Sequence, residues 1–192
     1  MEKRGLGDRL REEGADHTST IGWADEMRLG LISQVRRVWA PIGVKIVQKI
    51  QITYTYVYLH LVVDGINGTM NWIWAENMKQ ASVVKAVSAW QKAGIDAFVW
   101  DGAPSHRGNI VKGLGAMLII QPPYSPELNP AERVFEAIRA EVEGKIYATI
   151  ADKQEAVENF LKELSATPER IKKLAGWAWI QETVSSIANS AT

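Results

Sequence analysis

Alternation of apolar and polar side chains governs the first third of the chain. In Thr20-Ile-Gly-Trp-Ala-Asp25, the residues Ile21, Trp23 and Asp25 fall on one face of an extended segment, which predicts a strand ending at the aspartate. Leu31–Ala40 and Val44–Ile50 flank the turn signal Pro41-Ile-Gly43. Thr53–Val63, rich in threonine, tyrosine and aliphatic residues, is the strongest strand, and Asp64-Gly-Ile-Asn-Gly68 closes it with turn residues. Strand-turn-strand order predicts antiparallel neighbours. Residues 1–19 are charged and broken by glycine, and are expected to be a flexible lead-in.

The period then changes. Between Asn77 and Ala93, Val83, Val84, Val87, Ala89 and Trp90 recur at helical spacing, and Gly94 supplies the stop. Asp96–Trp100 predicts a short strand ending at Asp101. A polar loop with a short helix candidate follows, then Ala116–Ile120, apolar on both faces and so expected to be buried in a parallel arrangement. Four prolines between 122 and 130 make the next segment a stiff, shaped loop. Asn129 as N-cap, Pro130 at the first helical position and Glu132 in the first turn start a helix whose buried stripe is Val134, Phe135, Ile138 and Val142. Two further helices are predicted, at 151–164 and 168–175, the second opened by Thr167-Pro168-Glu169 and stopped by Gly176. The whole predicts an α/β fold: a mixed five-stranded sheet, three antiparallel strands then two parallel, flanked by helices. Its expected extent is 20–180, with 181–192 as a tail.

Composition adds exclusions. Cys is absent, which removes disulfides, thiolate nucleophiles and cysteine zinc sites, and three histidines make a histidine-rich metal centre unlikely on numbers alone. Lys+Arg 22 balance Asp+Glu 22, so a DNA-handling function would need positive charge concentrated on one face. No apolar stretch approaches the ~20 residues of a membrane span, and the N-terminus lacks a signal-peptide core. The expected setting is cytoplasmic, in association with the nucleoid.

Carboxylates at strand ends and helix starts are the candidate chemistry. In open α/β sheets ligands bind beyond the carboxyl ends of strands, where Asp101 must lie, and Asp25 lies beside it if the first and fourth strands are parallel neighbours. Asp25 among Ile21, Trp23 and Leu29 is expensive unless paired or metal-bound. Glu132 has a structural alternative, as the acid of a capping box started by Asn129. An all-oxygen donor set suits hard cations such as Mg²⁺ or Mn²⁺.

Asp25-Glu26, Arg36-Arg37-Val38-Trp39-Ala40-Pro41-Ile42-Gly43, Trp100-Asp101-Gly-Ala-Pro-Ser-His106 and Pro122-Pro-Tyr-Ser-Pro-Glu-Leu-Asn-Pro-Ala-Glu132 together resemble the catalytic domain of DDE transposases, in the bacterial insertion-sequence branch of the mariner superfamily. The resemblance runs from about residue 20 to 180 and includes Thr167-Pro-Glu-Arg170 and Gly176-Trp-Ala-Trp-Ile180. It implies a ribonuclease H-like fold with Asp25, Asp101 and Glu132 as catalytic and metal-binding triad. It further implies two Mg²⁺ ions, replaceable by Mn²⁺, bridged by Asp25. The implied reaction is cleavage of transposon ends followed by strand transfer into target DNA, at TA. Implied partners are double-stranded DNA, with room for a homodimer and for a separate N-terminal helix-turn-helix polypeptide, since the residues before the first strand cannot hold one.

The sequence departs from the family in places. Gly102 stands where an asparagine is usual. The interval of 30 residues between Asp101 and Glu132 is shorter than in mariner relatives, and Glu136, one helical turn on, would restore it. The motif text favours Glu132. Arg36, Arg37, Lys45 and Lys49 form the richest basic stretch and are read as a DNA-backbone surface, an ordinary solvated hairpin being the alternative. His106, Arg107 and Tyr124 are further nucleic-acid candidates, His106 alternatively packing against the proline-rich segment. Trp177 and Trp179 read as core plugs. Two other functions stay open: a nuclease of the same fold that never joins strands, and an inactive remnant that binds DNA.

Overall fold

The structure, a computed structural model, describes residues 5–33, 39–47, 49–106, 113–123 and 125–188. Five strands form one sheet in the order β3-β2-β1-β4-β5: β1 Ile21–Gly30, β2 Tyr56–Asp64, β3 Thr69–Ala75, β4 Ala97–Trp100 and β5 Met117–Ile120. β1 pairs antiparallel with β2, and β2 with β3, while β1–β4 and β4–β5 are parallel. This is the expected mixed sheet, and its topology is ribonuclease H-like. The helices are α1 Gly5–Glu12, α2 Gln80–Lys92, α3 Ala131–Val142, α4 Ile150–Ser165, α5 Pro168–Ala175 and α6 Ala178–Ala188.

Strand alternation splits the core in two. Trp23, Met27, Leu29, Leu59, Leu61, Val63 and Val99 face one layer, where Val134, Phe135 and Ile138 of α3 and Val157 and Leu161 of α4 are buried against them. Ala24, Val62, Phe98 and Trp100 face the other layer, closed by Val83, Ala86, Val87 and Trp90 of α2. Trp179 meets Trp23 edge-on, ring centroids 6.4 Å apart, as a core plug would.

Several boundaries differ from expectation. β1 does not stop at Asp25 but runs to Gly30, because β2 continues to pair it as far as Gly30↔Tyr56. β4 pairs β1 only over Ile21–Trp23, so beyond that point β1 has a partner on one side alone. The third antiparallel strand is not in the 31–50 region but is Thr69–Ala75, whose pleated Trp72 and Trp74 donate their indole N–H groups to Glu158 of α4 at 2.7 and 2.9 Å. Leu31–Ala40 and Val44–Ile50 carry no strand among their described residues. The turn at Pro41–Val44 does form, with the Val44 N–H donating to the Pro41 carbonyl at 3.2 Å and Gly43 at φ 87°. Trp39, Ile42, Val47, Ile52 and Tyr54 of this excursion are exposed.

Residues 5–12, expected as part of a loose lead-in, form α1. Leu6 and Leu10, four apart, are buried against α6, itself placed where a tail was expected, and Arg9 donates to the Ile120 carbonyl at 2.8 Å. β5 is parallel as expected but only half-buried, because it is the edge strand. The short helix candidate after Asp101 lies outside the described residues.

Candidate active site

The register places the first two acids. Trp23 pairs with Val99 in the parallel β1–β4 ladder, so two residues further along each chain stand Asp25 and Asp101. Even spacing keeps both on the face that carries Trp23 and Val99, the side covered by α3. The third acid arrives from that helix. Asn129 fixes its start twice over: the side-chain amide donates to the Ala24 carbonyl at 2.9 Å, and the side-chain oxygen accepts from the Ala131 N–H at 3.1 Å. Glu132 is thereby tied to the strand that carries Asp25. Asp25, Asp101 and Glu132 line one open cleft with Gly102, Gln121, Pro122, Ser125 and Asn129.

The capping-box alternative for Glu132 is not realised. The Asn129 N–H that its carboxylate would have to cap is already given to the Pro126 carbonyl at 2.9 Å, within a 3₁₀ turn at Pro126–Leu128. The Glu132 carboxylate instead stands 3.7 Å from Arg139. Glu136 points elsewhere: it is exposed and bonded to Arg133 at 2.8 Å.

Electrostatics distinguish the acids. Burial pushes the Asp25 carboxyl up to about 8; a hydrogen bond from the Glu26 N–H opposes the rise, while the charges of Glu26, Glu132 and Asp101 add to it. A half-buried acid hemmed in by other acids is a group whose charged form wants a cation. Asp101 is more open, its side chain 54% exposed, and its Oδ1 accepts from the Ala103 N–H at 3.0 Å and from His106 Nδ1 at 2.6 Å. The donor chemistry of the three acids therefore fits a hard divalent cation. Among the described residues no three Asp, Glu or His side chains stand close enough together to ligate one ion.

His106 packs inward. It is buried, its ring stacks on Trp100 with centroids 4.2 Å apart, and its Nε2 lies 2.9 Å from Glu26 Oε1. Burial opposes charge on this ring, yet the hydrogen bonds to Asp101 and Glu26 raise it to about 9. Glu26 is held below its ordinary range: burial favours its neutral form, but hydrogen bonds from His106 and His60 outweigh it. Sequence reasoning missed Glu26 and His60. A partial signal was there in His60, a polar residue in the middle of an otherwise apolar strand run, and the ladder sets it directly opposite Glu26. Of the basic candidates, Lys45 and Lys49 are exposed on the β1–β2 excursion, while Arg36, Arg37, Arg107 and Tyr124 lie outside the described residues.

Residues 20–155 match the family described as DDE superfamily endonuclease. The chain belongs to that family. Its fold is also that of the Mos1 transposase. It superposes on the Mos1 paired-end complex with the left transposon end at TM-score 0.66 and 17% identity, covering 98% of this chain and 62% of that one. For the Mos1 strand transfer complex the values are 0.66 and 16%, with 100% and 62% covered. A Mos1 mariner paired-end complex with Mn gives 0.64 and 16%, with 99% and 61% covered. The chain thus spans about three fifths of the Mos1 chains it matches. No curated protein sequence matches it. No helix among the described residues is long and apolar enough to cross a membrane.

Proposed function

We propose that this chain is the catalytic core of a transposase, cutting transposon-end DNA with Mg²⁺ or Mn²⁺ and joining the freed 3′ end to target DNA, at TA. The observation that carries the reading is the cleft lined together by Asp25, Asp101 and Glu132, which come from two parallel strands and one helix. Membership of the DDE endonucleases and the Mos1 fold support it.

Asp25, Asp101 and Glu132 would hold the cations. When bound, such ions supply the Lewis acidity that activates an attacking oxygen and stabilises charge on a scissile phosphate. The chain's own residues do the rest. Asp25, fixed in mid-strand and half-buried, supplies a carboxylate that cannot wander. Gly102 leaves backbone uncovered beside Asp101, and the Pro122–Asn129 segment walls the cleft with a loop stiffened by its prolines. Lys45 and Lys49 are proposed to contact the DNA backbone, and a second copy of the chain is proposed as the partner of the exposed apolar residues around them. A helix-turn-helix unit outside this chain would read the transposon ends, and the nucleoid is the proposed setting.

Supplied with a DNA duplex and Mg²⁺, the wild type should nick it, and Asp25→Asn, Asp101→Asn and Glu132→Gln should each fail while retaining their circular dichroism. Cleavage that survives Asp25→Asn overturns the site. A 3′-hydroxyl duplex given together with a target plasmid separates transposase from nuclease: joined product supports the first, and cutting without joining the second. A wild type that binds DNA but neither cuts nor joins would leave the DNA-binding remnant as the answer.

A further inference from the structure

Asp25 and Glu26 are neighbours in β1, and alternation sends them to opposite faces of the sheet. Asp25 faces the cleft. Glu26 is turned away from it, its side chain only 3% exposed, into the layer beneath Trp100. Isolated carboxylates are not tolerated there; an apolar residue of similar size would cost the fold less. Glu26 is met by three donors. His106 Nε2 is 2.9 Å and His60 Nδ1 3.2 Å from Oε1, and the Trp100 indole N–H is 3.4 Å from Oε2.

The other end of the same imidazole reaches the cleft. His106 Nδ1 is 2.6 Å from Asp101 Oδ1. The ring is held at both nitrogens by carboxylates and stacks on Trp100 at 26° between planes. Asp101 needs such a hold, because it sits past the end of β4, before Gly102, with its side chain more than half exposed. His60 braces Glu26 from β2, and its own Nε2 is buried without a hydrogen-bond partner among the described residues.

We propose that Glu26 is a positioning residue: through His106 it aims the Asp101 carboxylate into the cleft from the far side of the sheet. The role rests on the cation-dependent cleavage proposed above. One acid of the Asp25-Glu26 pair then serves the site directly, and the other serves it through the sheet. Aim matters because ligating distances tolerate errors of only a few tenths of an ångström.

The test uses the full chain as wild type, Glu26→Gln, His106→Gln and the double variant. Ring ¹H and ¹⁵N signals of His106 are recorded by NMR without metal in wild type and Glu26→Gln. Mn²⁺ affinity is measured by calorimetry, cleavage of a supplied duplex as kcat and KM, and Tm for every variant. Glu26→Gln should move the His106 ring signals and speed exchange of its Nδ1 proton. Mn²⁺ affinity and kcat should fall about 10- to 100-fold with KM for DNA held. The double variant should be no worse than His106→Gln alone, since both changes cut one chain of hydrogen bonds. If Glu26→Gln fails to fold, His106→Gln carries the same expectation for affinity and kcat. Ring signals that do not move, unchanged Mn²⁺ affinity beside a binding wild type, or losses that multiply in the double variant each overturn the role alone. A wild type that binds no Mn²⁺ overturns the cation site and this role with it.

Discussion

The side-chain amide of Asn129 donates to the backbone carbonyl of Ala24, 2.9 Å away, across more than a hundred residues of chain. A single buried hydrogen bond therefore joins the helix bearing Glu132 to the strand bearing Asp25. Asn129→Ala leaves that carbonyl and the Ala131 N–H short of a partner, and should cost about 1–3 kcal/mol in denaturant unfolding. Because the same bond sets the angle at which α3 enters, cleavage should fall at temperatures where the variant is still fully folded. A variant with wild-type activity and reduced stability would show that the bond serves folding alone.

Glu132 and Glu136 differ by one turn, about 6 Å along α3, and only Glu132 lines the cleft. Glu132→Gln should abolish Mg²⁺-dependent cleavage with a stability change of about 1 kcal/mol or less, since Glu132 caps nothing and its contact with Arg139 is exposed. Glu136→Gln should keep a substantial part of the activity. The reverse pattern in a cleavage assay would transfer the third acid to Glu136.

The Asp25 carboxyl, raised to about 8, makes the metal-free fold pH-dependent in a defined direction. The folded state holds this proton more tightly than the unfolded chain does. Its contribution is full below the ordinary value near 4 and is lost as pH rises through 8. In EDTA, Asp25→Asn should therefore gain on wild type between pH 5 and pH 8, by on the order of 1–3 kcal/mol at the upper end. The gap should close when Mg²⁺ is added, because only wild type then gains a ligand. Equal pH profiles for the two proteins would contradict the strain assigned to Asp25. The opposite sign is expected at Glu26, whose lowered value adds stability above its ordinary range that is lost on acidification.

How far the sequence carries is visible in these residues. Alternation put Trp23 and Asp25 on one face of a strand and Asp101 just past another, their adjacency depended on the parallel pairing that β1 and β4 make, and the proline-rich block announced the start of α3. What could not be read was where pairing stops. Asp25 looked terminal because glycine and charge follow it, whereas β2 holds β1 extended to Gly30. Thr69–Ala75 was masked by its brevity and tryptophans, and became a strand because β2 offers an edge and Glu158 binds both indoles. Glu26, His60 and His106 come from three separate segments, so no spacing rule could join them.

Lys45 and Lys49 supply a test of the DNA surface. Replacing both by Ala should weaken binding of every duplex alike and reduce the slope of log K against log salt by about 2. Filter binding across a salt series measures it. An unchanged slope would assign these lysines to ordinary solvated surface.

Gly65 in the β2–β3 turn abuts the end of α5 so closely that a Cβ there would collide with the Ala175 carbonyl, and one on Gly176 would collide with the Gly65 carbonyl. Gly65→Ala should destabilise by about 1–3 kcal/mol in thermal unfolding while leaving Mn²⁺ affinity at 20 °C intact. Unaltered stability would mean that the two backbones separate freely.

β4 gives out while β1 runs on to Gly30, and Asp25 and Asp101 line the cleft at the notch so made. The place proposed for the chemistry is therefore written as a count of residues more than as any one side chain. One residue added to β4 would carry Asp101 through the sheet to the α2 side, leaving Asp25 to face the cleft without it. Two would restore the face but push the acid past its neighbour. Descendants of such a sequence could vary other features of the strand while the parity of 97–101 stays under constraint.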